Sequence, residues 1–168
     1  MPNPNDPWFG GDKRDGGRPI ASMKDVDPLT RIFVWALRRW LDGVCGQQEV
    51  WGHLSGRMGG KEGARALSAF EAHLSSVTAG LERVVQRHHS QCACVCADEA
   101  LMAATVVAAS EGDLSGARFF AAHYIEPDSV AAVVETAYCL GAEIKKLADT
   151  PCAPPPGAAV SMAGRTLH

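Results

Sequence analysis

Apolar positions along the middle of this chain recur at alternating steps of three and four, the spacing that lines one side of an α-helix. The longest such run is Leu67, Phe70, Leu74, Val77, Leu81, Val84 and His88. It predicts a helix that keeps one face on a partner for about three heptads. The same run delivers His88 to the inner edge of the core, while His89 points ~100° away. Val130, Val133, Ala137, Leu140, Ile144 and Leu147 repeat the rhythm after a start at Pro127 or Asp128.

Four further stretches are amphipathic on a shorter scale. "DPLTRIFVWALRRWLDG" offers Asp27 as an N-cap and Pro28 at the first helical position. Its stripe is Leu29, Phe33, Leu37, Trp40, Leu41 and Val44, with Arg31, Arg38 and Arg39 away from the centre and Gly43 or Gly46 as the stop. "QQEVWGHLSGRM" spaces Val50, Leu54 and Met58 by four, and "GGKEG" at 59–63 reads as a flexible connection. Asp98 can cap a helix over 99–110 that carries Leu101, Met102, Thr105 and Val106, and Asp113 can cap "LSGARFFAAHYI". No segment alternates apolar and polar residues as a half-buried strand would. Together these patterns predict an all-α fold, a single antiparallel bundle of about five helices.

Prolines set the limits of that bundle. All ten lie at 2, 4, 7, 19, 28, 127, 151, 154, 155 and 156, leaving 29–126 free of a residue that breaks helix interiors. Residues 1–26 and 149–168 are too rich in glycine, proline and polar groups to offset their ordering entropy. The expected organisation is a disordered N-terminal arm at 1–26, a helical domain at 27–148 and a disordered Pro/Ala-rich tail at 149–168. Trp8 and Phe9 are candidate anchors within the first arm.

Charge adds little. A net charge of -3 and a pI near 6.0 give no basic stripe, so no nucleic-acid partner is expected, and Arg38-Arg39-Trp40 alone does not supply one. Asp98, Glu99, Glu111, Asp113 and Glu126 against the single Arg118 make 91–126 acidic, which reads as a solvated face. The longest apolar run, "ALMAATVVAA" at 100–109, is too short to span a bilayer, and the first 20 residues lack the apolar centre of a secretory signal. A soluble cytoplasmic chain is the default, with no membrane partner. In that compartment the six cysteines are expected as free thiols, metal ligands or redox groups rather than structural disulfides.

One stretch looks chemical: "RHHSQCACVCADEA" at 87–100. His88, His89, Cys92, Cys94 and Cys96 offer imidazole and thiolate donors suited to zinc or another thiophilic ion. Cys96, two residues before the expected cap, would also gain from a helix N-terminus, making it a candidate nucleophile with His88 or His89 as base. The C-x-C-x-C spacing departs from the paired C-x2-4-C pattern of closed zinc sites, and Cys45, Cys139 and Cys152 are isolated. Three thiols on one side of an extended turn can equally pack into a core, and that reading is preferred. His73 and His123 are expected at the surface or its boundary, and Cys139 in the core. Paired Glu-x-x-His motifs, phosphate loops and nucleophile elbows are all missing from the sequence. The favoured function is therefore a small interaction or regulatory protein, acting through its surface on a protein partner without chemistry of its own. A helix face left over after packing would favour a homodimer. The alternative is a metal-binding or thiol-redox protein with its site at 88–96.

Overall fold

The computed structural model describes residues 15–149. These residues are mostly helical, with six α-helices where the pattern predicted about five, and they carry one feature the pattern did not predict: a two-stranded antiparallel sheet. In chain order the elements are β1 (Pro19–Ser22), α1 (Pro28–Leu41), α2 (Val44–Met58), α3 (Gly60–Gly80), β2 (Cys94–Cys96), α4 (Ala97–Ser110), α5 (Leu114–Ala121) and α6 (Val130–Asp149). Short 3-10 turns at Asp15–Gly17 and Pro127–Ser129 precede β1 and α6. The proposed anchors Trp8 and Phe9, Cys152 and nearly all of the C-terminal tail lie outside the described residues.

The helix starts and stops follow local chemistry. Asp27 accepts a hydrogen bond from the Thr30 N–H at 2.9 Å, and Asp113 caps α5 through Gly116 N–H at 2.8 Å. Gly43, just past α1, has φ 92°, a conformation that side chains disfavour. The glycines at 59–63 do not form the flexible connection expected of them. Only Gly59, at φ 87°, breaks the chain, and α3 begins one residue later. A Cβ at Gly63 would meet the Ser55 backbone at 2.8 Å, so this residue is small because α2 and α3 touch there.

The core follows the three-four rhythm closely. Phe33, Leu37, Val50, Phe70, Val77, Val106, Val133, Ala137, Leu140 and Leu147 are buried, with α3 packed on α2 and α6 and with α4 on α1, α5 and α6. Phe33 meets the rings of Phe70 and His73 edge-on at 6.4 and 6.1 Å. His73 was expected near the surface and is wholly buried, whereas Cys139, expected inside, is exposed. Both sit one position from where an averaged stripe would put them. Thr136 Oγ1, which donates to a backbone carbonyl of its own helix, can accept the His73 Nδ1–H at 3.1 Å, while Nε2 is buried without a partner among the described residues.

The major departure lies beyond Gly80. The stripe predicted helix through His88, but α3 stops at Gly80 and Leu81 turns extended. Backbone bonds to 124–126 replace the helical ones: Glu126 N–H donates to Gly80 O at 2.8 Å and Glu82 N–H to Tyr124 O at 3.0 Å. The close approach requires Gly80, since a Cβ there would meet the Ser129 side chain at 2.5 Å. Val85 then takes the buried place foreseen for Val84, which is 47% exposed. Residues 15–26 differ as well. They were assigned to a disordered arm, yet β1 pairs with β2 through Pro19 opposite Cys96 and Ser22 opposite Cys94.

Burial pushes the His73 imidazole down to about 4 from 6.5. The folded chain therefore holds His73 neutral where the unfolded chain takes up a proton, and stability present above pH 6.5 is lost as the pH falls toward 4. The expected loss from this residue is about 3 kcal/mol. Urea denaturation of the wild type and of His73→Leu across that interval checks it, and the variant should show a flatter profile.

Candidate metal centre

Residues 81–93 have no regular secondary structure, so something else must hold them, and the holding group is an ion pair. Arg38 lies four residues after Val34, on the side of α1 that faces the core, and is 1% exposed. Its partner Glu99, in the first turn of α4, is fully buried. Arg38 Nε donates to Glu99 Oε1 at 2.6 Å and Nη2 to Oε2 at 2.7 Å, the two-pronged match of a planar guanidinium to a carboxylate. The remaining donors reach the loop: Nη1 to Cys92 O at 2.7 Å and Nη2 to Cys94 O at 2.6 Å. Glu99 in turn accepts the His88 N–H at 3.1 Å and the Cys96 N–H at 3.0 Å. Burial alone would lower the Arg38 pKa, but the hydrogen bond and charge of Glu99 outweigh it and the guanidinium is held above its ordinary value.

A second pair fastens the start of the loop. Arg83 donates to both oxygens of Asp98 at 3.0 and 2.6 Å, and Asp98 also accepts the Gln86 N–H at 2.7 Å. The solvated acidic face expected over 91–126 is thus corrected at the first two of its five acidic residues. Asp98 and Glu99 point inward because each is matched to an arginine. Asp98 is not the cap of α4. Cys96 holds that place, and Glu99, three residues on, satisfies its N–H as the glutamate of a capping box does.

This frame brings three of the five candidate donors together. One nitrogen of His88 and the sulfurs of Cys92 and Cys94 all lie within 4.8 Å of one another, half-buried. The chain bends at Ala93, whose carbonyl accepts the Met23 N–H at 2.7 Å, and the bend turns both thiols to the same side as the imidazole. His88 Nε2 is 2.9 Å from Gly17 O. A carbonyl only accepts, so Nε2 carries the proton and Nδ1 presents its lone pair to the sulfurs, 3.0 Å from Cys94 and 3.7 Å from Cys92.

The other two candidates stand apart. His89 is exposed, and its Nδ1 accepts from Gln91 N–H at 3.3 Å. Cys96 is buried with Sγ donating to Gln86 O at 3.3 Å, and burial raises its thiol to about 12. A thiol held so firmly protonated is a poor nucleophile and a poor ligand. Cys92 and Cys94 behave as a pair: a hydrogen bond from Cys94 lowers the Cys92 thiol, and the same bond raises Cys94.

No protein-family model, curated protein or solved structure matches the chain. The geometry must therefore speak from its own donors. Arg38, Glu99 and Gly17, which hold the cluster without belonging to it, escaped sequence reasoning. Two signals pointed to the ion pair: Arg38 falls at a helical step from Val34, and Glu99 follows Cys96 at the capping-box interval. No residue type announces the Gly17 carbonyl.

Removing one partner of a buried ion pair leaves an uncompensated charge and, here, orphaned backbone groups. Glu99→Leu and Arg38→Met are each expected to cost about 3–5 kcal/mol in denaturant unfolding. A loss below about 1 kcal/mol, the range of exposed pairs, would contradict the role given to this contact.

Proposed function

We propose that this chain binds a thiophilic metal ion, zinc or copper(I), through His88 Nδ1 and the sulfurs of Cys92 and Cys94. The observation that carries the reading is the orientation of His88. Its outer nitrogen is tied to a backbone carbonyl and its inner nitrogen faces two thiols. Metal-bound histidines are held in this way almost without exception, because the outer hydrogen bond sets the tautomer and makes the ligand more basic. Ligand atoms around one ion, at about 2.3 Å for sulfur and 2.0 Å for nitrogen, lie up to about 4 Å apart. Small side-chain rotations are enough to close the present spacing.

The donor set also narrows the ion. Two thiolates and a neutral imidazole suit soft or borderline cations and disfavour magnesium or calcium, which take oxygen. The nearby carboxylates of Asp98 and Glu99 are committed to arginines and backbone N–H groups, leaving three protein ligands among the described residues. Three soft donors suffice for copper(I). Zinc would complete its tetrahedron with a small exogenous ligand such as water. The convergent donors support the alternative sequence reading, a metal-binding site at 88–96, over a protein acting only through its surface. Ligation would brace the segment between α3 and α4.

Elemental analysis of protein purified without added metal, followed by competition titration against a chromophoric chelator, tests the proposal. One ion per chain is expected. His88→Ala, Cys92→Ser and Cys94→Ser should each weaken binding on the order of 100-fold or more, while His89→Ala and Cys96→Ala stay within a few-fold. Wild-type affinity in Cys92→Ser and Cys94→Ser would overturn it. Stripping the ion should lower stability by about 3 kcal/mol relative to protein at a hundredfold excess over Kd. The chain should remain folded, because its helical core does not include the site.

A further inference from the structure

We propose that Cys92 and Cys94 are also a reversible dithiol, oxidised by a hydroperoxide to a C-x-C disulfide, and that closing this bridge ejects the ion. The ejection step rests on the metal-binding reading above; the bridge itself does not. The two sulfurs share one side of the bend at Ala93, within 4.8 Å of each other and of the His88 nitrogen. Their backbones are already fixed, since Arg38 holds both carbonyls and Met23 N–H holds the one between them. Bridging therefore starts from two side chains on one short, held segment, and the strain of the link falls on that segment.

The chemistry balances without further reactants. One thiolate attacks a peroxide oxygen; the O–O bond breaks, and an alcohol or water leaves after taking a proton. The resulting sulfenic acid is attacked by the second thiolate, the S–S bond forms, the S–O bond breaks, and a second water leaves. Two thiols lose two electrons and two protons, and one peroxide gains them. His88 Nδ1, 3.0 Å from the Cys94 sulfur, is placed to accept a thiol proton. The third thiol of the run does not compete, because Cys96 Sγ is buried and turned to Gln86 O.

Two consequences follow from the small ring. A disulfide sulfur carries no charge and is no longer a ligand, so oxidation removes two of the three donors at once. A bridge spanning a single residue is strained, and strained disulfides are the readily reduced ones. The couple is thus suited to opening again when a cellular dithiol is available.

The test uses the full chain with Cys45, Cys139 and Cys152 replaced by serine, both metal-free and loaded with zinc. Each form is treated with equimolar hydrogen peroxide. Loss of two hydrogens in intact mass, a peptide map joining Cys92 to Cys94, recovery with a dithiol reductant and release of one zinc per chain to a chelator are expected together. Sulfinic acid on a single cysteine, a bridge through Cys96, or unreacted thiols would overturn the proposal. A metal-free chain that closes the bridge but never retains zinc would sink the metal reading and uphold the dithiol. A chain that binds zinc at these residues yet keeps it, unoxidised, under peroxide would do the reverse.

Discussion

A guanidinium and a carboxylate buried between α1 and α4 hold this molecule's chemistry in place. Arg38 and Glu99 are both removed from water, and such a pair offsets its desolvation only when every remaining donor and acceptor finds a partner. Here the partners are backbone groups of His88, Cys92, Cys94 and Cys96. The exchange is reciprocal. The irregular chain supplies the hydrogen bonds that make the buried charges tolerable, and the charges supply the rigidity that an irregular chain lacks. Neither half would be stable alone at this depth.

That reciprocity explains why a loop carries the site. Helices position side chains through their own ladder, but 81–93 has none, and much of its conformation is set by contacts with α1, α4, residues 17–23 and residues 123–125. The result is a segment irregular in form yet closely specified. Three donor side chains gathered within 4.8 Å of one another on this segment and the start of β2 require external fastening on several sides, and Gly17, Met23, Arg38 and Asp98 provide it.

Much of the helical framework was legible in the residue pattern because burial of one helix face has a period, and a period survives averaging. Phe70, Leu74 and Val77 on α3 and Val133, Ala137, Leu140, Ile144 and Leu147 on α6 fall where the three-four spacing put them. The same averaging failed where a helix ended for a tertiary reason. Val84 and His88 continue the rhythm numerically, yet backbone pairing of 80–82 with 124–126 terminates α3 first. Strands β1 and β2 were missed because each is only three or four residues long, too short for alternation to register. Within the candidate site, residue type alone found His88, Cys92 and Cys94, but could not separate them from His89 and Cys96. That separation depends on which way each side chain leaves the backbone, and contacts dozens of residues away decide it.

The bond from His88 to Gly17 spans 71 positions, and that from Arg38 to Glu99 spans 61. Loops of that size close late, after the local helices have formed, since their entropic cost must be met before any of their contacts is gained. The donor cluster therefore depends on long-range contacts, those that bring the turn at 15–17 and α1 against α4. A chain in which those contacts have not formed holds the three donors dispersed, so the proposed ion would meet a prepared receptacle only on the finished fold.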